Sequence, residues 1–220
     1  MNMKRDRFNT YREFLNESAE PSKFLTQEQI DWCDKHIKGE WGVNSKGEVT
    51  VSNHLFFKRK GWKIDDLDRS FDRVPVQFAP TKGDFDCFSC PNLTSLEGAP
   101  EHVGGNFSCS HCPNLVSLKG APSHVGGNFD CSNCAGLVSL EGTPAHVGGD
   151  FRCENCPKLA SLEGAPEHVG GYFYCGNCPE LPDSFEEIIY DYNTKRIDWK
   201  RAHKLIHSDT ARKAHSIGLI

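Results

Sequence analysis

No apolar run in this 220-residue chain approaches the length needed to cross a bilayer, so a transmembrane helix is excluded. The opening MNMKRDRFNT is basic but leads into polar YREFLNES rather than an apolar stretch. The sequence therefore shows no secretory leader, and a cytoplasmic location is expected. A phosphate-binding loop, a metalloprotease motif and a paired general acid and base are all missing, which removes the usual handles of enzyme chemistry. The acidic cluster Asp65, Asp66, Asp68 and Asp72 lacks the glycine and the twelfth-position glutamate of a hand-type calcium loop, so it reads as a solvated loop. The eleven cysteines are an odd number that cannot all pair within one chain, and a reducing cytosol keeps thiols unoxidised. A disulfide framework is not expected.

What the chain does contain is a 22-residue unit repeated five times, with Phe85, Phe107, Phe129, Phe151 and Phe173 in step. Each is followed two and five residues later by cysteine, giving the pairs Cys87/Cys90, Cys109/Cys112, Cys131/Cys134, Cys153/Cys156 and Cys175/Cys178. Self-similarity at that period means a solenoid, in which one supersecondary unit stacks on the next and a long regular surface results. The second copy, GNFSCSHCPNLVSLKGAPSHVG, predicts a short strand from Gly105 to about Ser110, a turn at Pro113 and Asn114, inward Leu115 and Leu118, and a return through Gly120 and Pro122. Alternation puts Phe107 and Cys109 on the core face and Asn106, Ser108 and Ser110 on the other.

The chain divides into a helical region at 1–42, a β-rich N-terminal cap at 43–82, the repeats at 83–182 and a basic helical C-terminal cap at 183–220. In the first, Thr26 is placed to cap a helix whose stripe is Ile30, Cys33 and Ile37. In the second, EVTVS at 48–52 and VPVQF at 74–78 are expected to pair in parallel with the first repeat. After Leu181 the period fails, and Asp183 with Glu186 resembles a capping box.

The segment F-x-C-x-x-C-x-x-L resembles the strand and turn of a leucine-rich repeat. Phe107 and Cys109 take its core-facing positions, and Cys112 stands where that family places asparagine or cysteine. The wording S-L-E-G-A-P-x-H-V-G-G-x-F-x-C is similar to short leucine-rich-repeat-like proteins encoded by tailed bacteriophages, as are Gly47 to Val51 and Pro75 to Phe78. The likeness covers about residues 46–182 and implies a parallel sheet of short strands; it does not by itself imply a function. Two departures stand out: a second cysteine in every copy, and glycine where a leading leucine is usual, which suggests tight backbone packing on the return side. Effector ligases that carry such repeats add a catalytic cysteine domain, but the 39 residues after Leu181 contain no cysteine.

Paired C-x-x-C motifs are zinc ligands in many proteins. Here both thiols of each unit point inward among Phe and Leu, so two ladders of structural thiols are expected, with no metal or other cofactor; zinc bound by the ladders is the less favoured alternative. His102, His124, His146 and His168 form a further register, expected as neutral rings hydrogen-bonded along a ladder, with a pH switch or a surface metal site as the less favoured alternative. Ser95, Ser117, Ser139 and Ser161 read as turn-forming hydroxyls.

Outward strand positions are where the copies differ. One row is Asp84, Asn106, Asn128, Asp150 and Tyr172; the next is Asp86, Ser108, Asp130, Arg152 and Tyr174; the third is Phe88, Ser110, Ser132, Glu154 and Gly176. Positions that vary between near-identical units are not needed for stacking, and tyrosine and arginine dominate binding energies. Partner contact is therefore expected at these rows, above all at Arg152, Tyr172 and Tyr174. The net charge is −5, yet residues 195–220 hold seven Lys or Arg against two Asp, a balance of +5 that leaves −10 elsewhere. An acidic face favours a protein partner with a basic patch. Nucleic acid bound by Lys195, Arg196, Lys200, Arg201, Lys204, Arg212 and Lys213 around Trp199 is the alternative, and a basic tail docked on the acidic body accounts for the same asymmetry. The expected function is a non-enzymatic protein-binding solenoid.

Overall fold

A computed structural model describes residues 20–37, 40–51, 55–56 and 71–181. The expected C-terminal helices, the basic segment, and Asp65, Asp66 and Asp68 lie outside the described residues.

The N-terminal helix forms as its sequence signals indicate. Thr26 Oγ1 accepts from the Gln29 amide at 3.3 Å while Gln29 Oε1 accepts from the Thr26 amide at 2.9 Å. This reciprocal box starts α1 at Gln27–His36. Its apolar stripe buries Cys33 and Ile37 and packs Ile30 against the core. Gln29 Nε2 also donates to the Pro75 carbonyl at 2.7 Å, and Trp32, His36 and Phe71 meet with ring centroids 5.0 to 5.4 Å apart, so the helix docks on the segment that leads into the repeats.

The β-rich region differs from expectation. β1 (Trp41–Val43) and β2 (Val49–Val51) form an antiparallel hairpin. Asn44 Oδ1 closes its turn by accepting from the Lys46 and Glu48 amides, and Gly47 takes φ of 82°. VPVQF is not a strand: Val74, Val76 and Phe78 are buried, and the segment joins β2 only through a parallel bridge of Val49 with Phe78. The strand that leads the repeats in parallel is instead β3 (Leu55–Phe56), paired with β4 (Phe85–Asp86).

The repeats coil as a parallel β-solenoid of about four turns. Each repeat contributes one two-residue strand beginning with Phe: β4, then β6 (Phe107–Ser108), β8 (Phe129–Asp130), β10 (Phe151–Arg152) and β12 (Phe173–Tyr174). These pair in register to give the sheet order β12-β10-β8-β6-β4-β3. The return limb, for which the sequence suggested no strand, carries a second parallel sheet. It consists of β5 (His102–Val103), β7 (His124–Val125), β9 (His146–Val147) and β11 (His168–Val169) in the order β11-β9-β7-β5.

The core is a set of like-on-like columns. Successive Phe rings stack with centroids 5.0 to 5.4 Å apart and planes within 13°. Offset aromatic stacking of this kind adds about 0.5–1.5 kcal/mol per pair beyond burial. The columns of Leu115 and Leu118, Val125, and the two cysteines of each turn are likewise buried, and so are their equivalents in the neighbouring turns, apart from the half-buried Cys175. Strands stay at two residues because the corner comes at once: Ser89, His111, Asn133, Asn155 and Asn177, each just before the second cysteine, have φ of 56° to 59°. That left-handed residue turns the chain so that both cysteines face inward. Ser110 and Ser132, just before that residue, are buried, with Ser110 beside the Ser108 hydroxyl and Ser132 donating to Asp130 Oδ1. The second serine register behaves as expected: Ser95, Ser117, Ser139 and Ser161 each accept from the amide two residues on at 2.9 to 3.4 Å.

Candidate functional site

The three outward rows of the six-stranded sheet have different roles. In the first, each side chain is tied to the next turn: Asp84 Oδ1 accepts from the Asn106 amide at 2.7 Å, Asn106 from Asn128 at 2.8 Å, Asn128 from Asp150 at 2.8 Å, and Asp150 from Tyr172 at 3.0 Å. These oxygens satisfy backbone donors that the short strands leave unpaired. Only Tyr172, the last of the row, presents a large apolar ring to solvent, at 42% exposure. Repetition of Asp or Asn after Gly-Gly is the signal that marked this ladder, and it was visible in the sequence.

The second and third rows close local turns at the N-terminal end. Asp86 Oδ1 accepts from the Phe88 amide at 2.8 Å, and Asp130 Oδ1 from the Ser132 amide at 2.9 Å and the Ser132 hydroxyl at 2.6 Å. Ser108 and Ser110 hydroxyls lie 3.1 Å apart, and Phe88 lies against His111 with ring centroids at 4.9 Å. Glu154 is half-buried on β10's side of the corner.

At the C-terminal end the rows converge. Arg152 Nη2 donates to Asp150 Oδ2 at 3.1 Å, and its guanidinium lies 4.9 Å from the centroid of the Tyr174 ring. Tyr172 meets Tyr174 at 6.2 Å, tilted by 60°. Burial pulls the Arg152 guanidinium down, but the bond to Asp150, with Tyr174 and Asp130 near, outweighs that and leaves its value above the ordinary one. One carboxylate thus orients a cation over an aromatic face while its other oxygen holds the Tyr172 backbone. The structure brings Asp150, Arg152, Tyr172 and Tyr174 together; Asp84, Asp86 and Phe88 lie three to four repeats away.

The cysteine ladders are in place. All eleven cysteines are thiols. Cys112, Cys134, Cys156 and Cys178 donate through Sγ to the carbonyls of Cys87, Cys109, Cys131 and Cys153 one turn back, at 3.3 to 3.5 Å. Burial pushes the Cys109, Cys131 and Cys153 thiols well up, and Cys33 and Cys134 to about 12; Cys156 is raised by its hydrogen bond with Cys178 and by burial. Thiols held protonated and committed as donors are poor metal ligands and poor nucleophiles; Cys178, lowered by its hydrogen bond with Cys156, runs the other way. Among the described residues no three His, Cys, Asp or Glu side chains are arranged to hold a metal ion.

The histidine register forms a ladder of stacked rings over three of its four members. His124 stacks on His146 at 4.5 Å and 4°, and His146 on His168 at 4.4 Å and 10°; His102 is 6.0 Å from His124 and tilted by 49°. The His124, His146 and His168 imidazoles meet face to face. A half-open, polar groove of about 410 Å³ lies beside the β1–β2 turn, lined by Lys46, Glu48, Gln77, Glu101 and Ser123 among others. It contains none of the residues expected at the partner surface. No helix among the described residues is long and apolar enough to cross a membrane.

No protein-family model, curated protein or solved structure matches the chain.

Proposed function

We propose that the chain is a non-enzymatic binding protein that docks on a protein partner through the C-terminal end of its six-stranded sheet. The observation that carries this reading is the Arg152 guanidinium, fixed by Asp150 over Tyr174 beside the exposed Tyr172. Arginine and tyrosine are enriched among residues that dominate interface energies, and side chains already fixed lose little entropy on docking. Asp86, Asp130 and Glu154 make the surrounding face acidic, which favours a partner with a basic patch. The action would be steric, a rigid strand array covering the partner's active or assembly surface. The leucine-rich-repeat and phage-type likeness, and with it inhibition of a host or defence protein, rests on the sequence resemblance alone.

The test is affinity capture from nuclease-treated lysate with the native chain and with an Arg152→Ala, Tyr172→Ala, Tyr174→Ala variant of verified fold. One stoichiometric protein lost with the variant is expected. Equal capture by both forms would move the site away from this end of the sheet. Binding only to nucleic acid, with an affinity that falls steeply with salt, would favour the basic residues of 195–213 instead.

A further inference from the structure

The second sheet carries a feature that partner binding by the first does not use. Its parallel register places His102, His124, His146 and His168 in one row, and because the valine after each is buried, the histidines face outward. The residue two beyond each histidine is glycine: Gly104, Gly126, Gly148 and Gly170 are exposed and set no side chain beside the rings. The residues preceding the histidines are Glu101, Ser123, Ala145 and Glu167, all outside the core. Lys82, in register with Gly104 one turn earlier, is the one positive residue in these columns and stands at the His102 end, where Glu101 Oε1 lies 3.8 Å from His102 Nε2.

We propose that this row binds one divalent transition-metal ion through two adjacent imidazoles, with His146 as the member common to either pairing. Only His146 has a close neighbour on both sides, at 4.5 and 4.4 Å. Neutral imidazole is the ligand form, and an outward-facing histidine offers it at pH 7.5, a unit above the ordinary value of about 6.5. Imidazole nitrogen suits nickel, copper and zinc but not calcium or magnesium, which take oxygen.

With metal–nitrogen bonds of about 2.1 Å, two adjacent ligand nitrogens sit about 3 Å apart. The stacked rings are somewhat wider than this and their lone pairs run parallel. Binding therefore tilts one ring toward the other and breaks the stack at that pair, with water filling the remaining positions. The backbone ladder fixes the spacing while the rings stay free to tilt, as the 49° between His102 and His124 illustrates. At 6.0 Å that last pair is too far apart to be the preferred site.

Nickel(II) is the probe, titrated into the full chain at pH 7.5 by calorimetry. One saturable ion per chain is expected, with imidazole proton resonances broadened. His146→Ala should weaken affinity by about tenfold or more, since losing a ligand costs at least as much as losing an outer-shell partner. His102→Ala should leave affinity unchanged. A double variant, His124→Ala with His168→Ala, keeps His146 but removes both partners and should match His146→Ala; this guards against a folding defect in either one. Absence of saturable binding, equal affinity in His146→Ala, or a sulfur-to-nickel charge-transfer band would overturn the proposal, the last by assigning the ion to the thiols.

Discussion

At the scale of single residues, the same side-chain type does different work according to what lies one turn away. Asn106 and Asn128 are surface residues by type, yet each uses its oxygen to hold the following turn's backbone. His146, placed between two other imidazoles, is harder to protonate than an unfolded histidine. Its folded value lies below the ordinary 6.5, so the unfolded chain binds the proton more readily as pH falls through that value. Stability associated with this group is therefore complete above about pH 7 and declines on acidification until the lower folded value is passed. Denaturant unfolding at pH 7.5 and 5.5 should show a larger loss for the native chain than for His146→Gln. An equal loss in both would mean that the stack does not govern the titration.

Elements in this fold are too short to be stable alone, so their legibility varied with how they announce themselves. The capping box of Thr26 and Gln29 and the stripe of Cys33 and Ile37 are local signals, and α1 appears where they indicate. The Phe strands were legible because Phe and Cys alternate with polar residues. The second sheet was not, since a two-residue strand in H-V-G-G has no alternation to read and glycine ordinarily signals a turn. The two glycines serve close approach instead: a Cβ at Gly148 would overlap the carbonyl oxygen of Gly126 one turn back. This is the tight return-side packing that glycine in place of a leading leucine suggested. Gly148→Ala should destabilise by about 1–3 kcal/mol, the usual cost of overpacking. Urea unfolding checks this, and a change within 0.5 kcal/mol would show that the second sheet yields easily.

Across the whole molecule, stability is a sum over turns and their interfaces. Removing residues 127–148 takes out one complete 22-residue unit and joins Gly126 to Gly149, which restores the local sequence and every column. The shortened chain should fold, with the same circular dichroism shape and a smaller denaturant slope in proportion to the surface lost. Removal of only residues 127–137 should abolish cooperative unfolding, because Phe would then face Leu and the columns would break. If the first deletion failed to fold, the stacking of turns would not be the source of stability.

Periodicity alone determined the solenoid, its 22-residue turn and the identity of its core, because a residue that recurs in phase must meet its own copy and only apolar groups and thiols tolerate that inside. Which outward side chains are engaged was decided by tertiary structure. Asn106 and Tyr172 occupy the same row in the sequence, but the partner of each lies 22 residues away, so the ladder that ties one internally leaves the other's ring exposed. The same holds for Ser110, which is buried on its row with its hydroxyl 3.1 Å from that of Ser108, beside the left-handed corner at His111. A local pattern tells which way a side chain starts; what it meets depends on the coil that brings distant residues side by side.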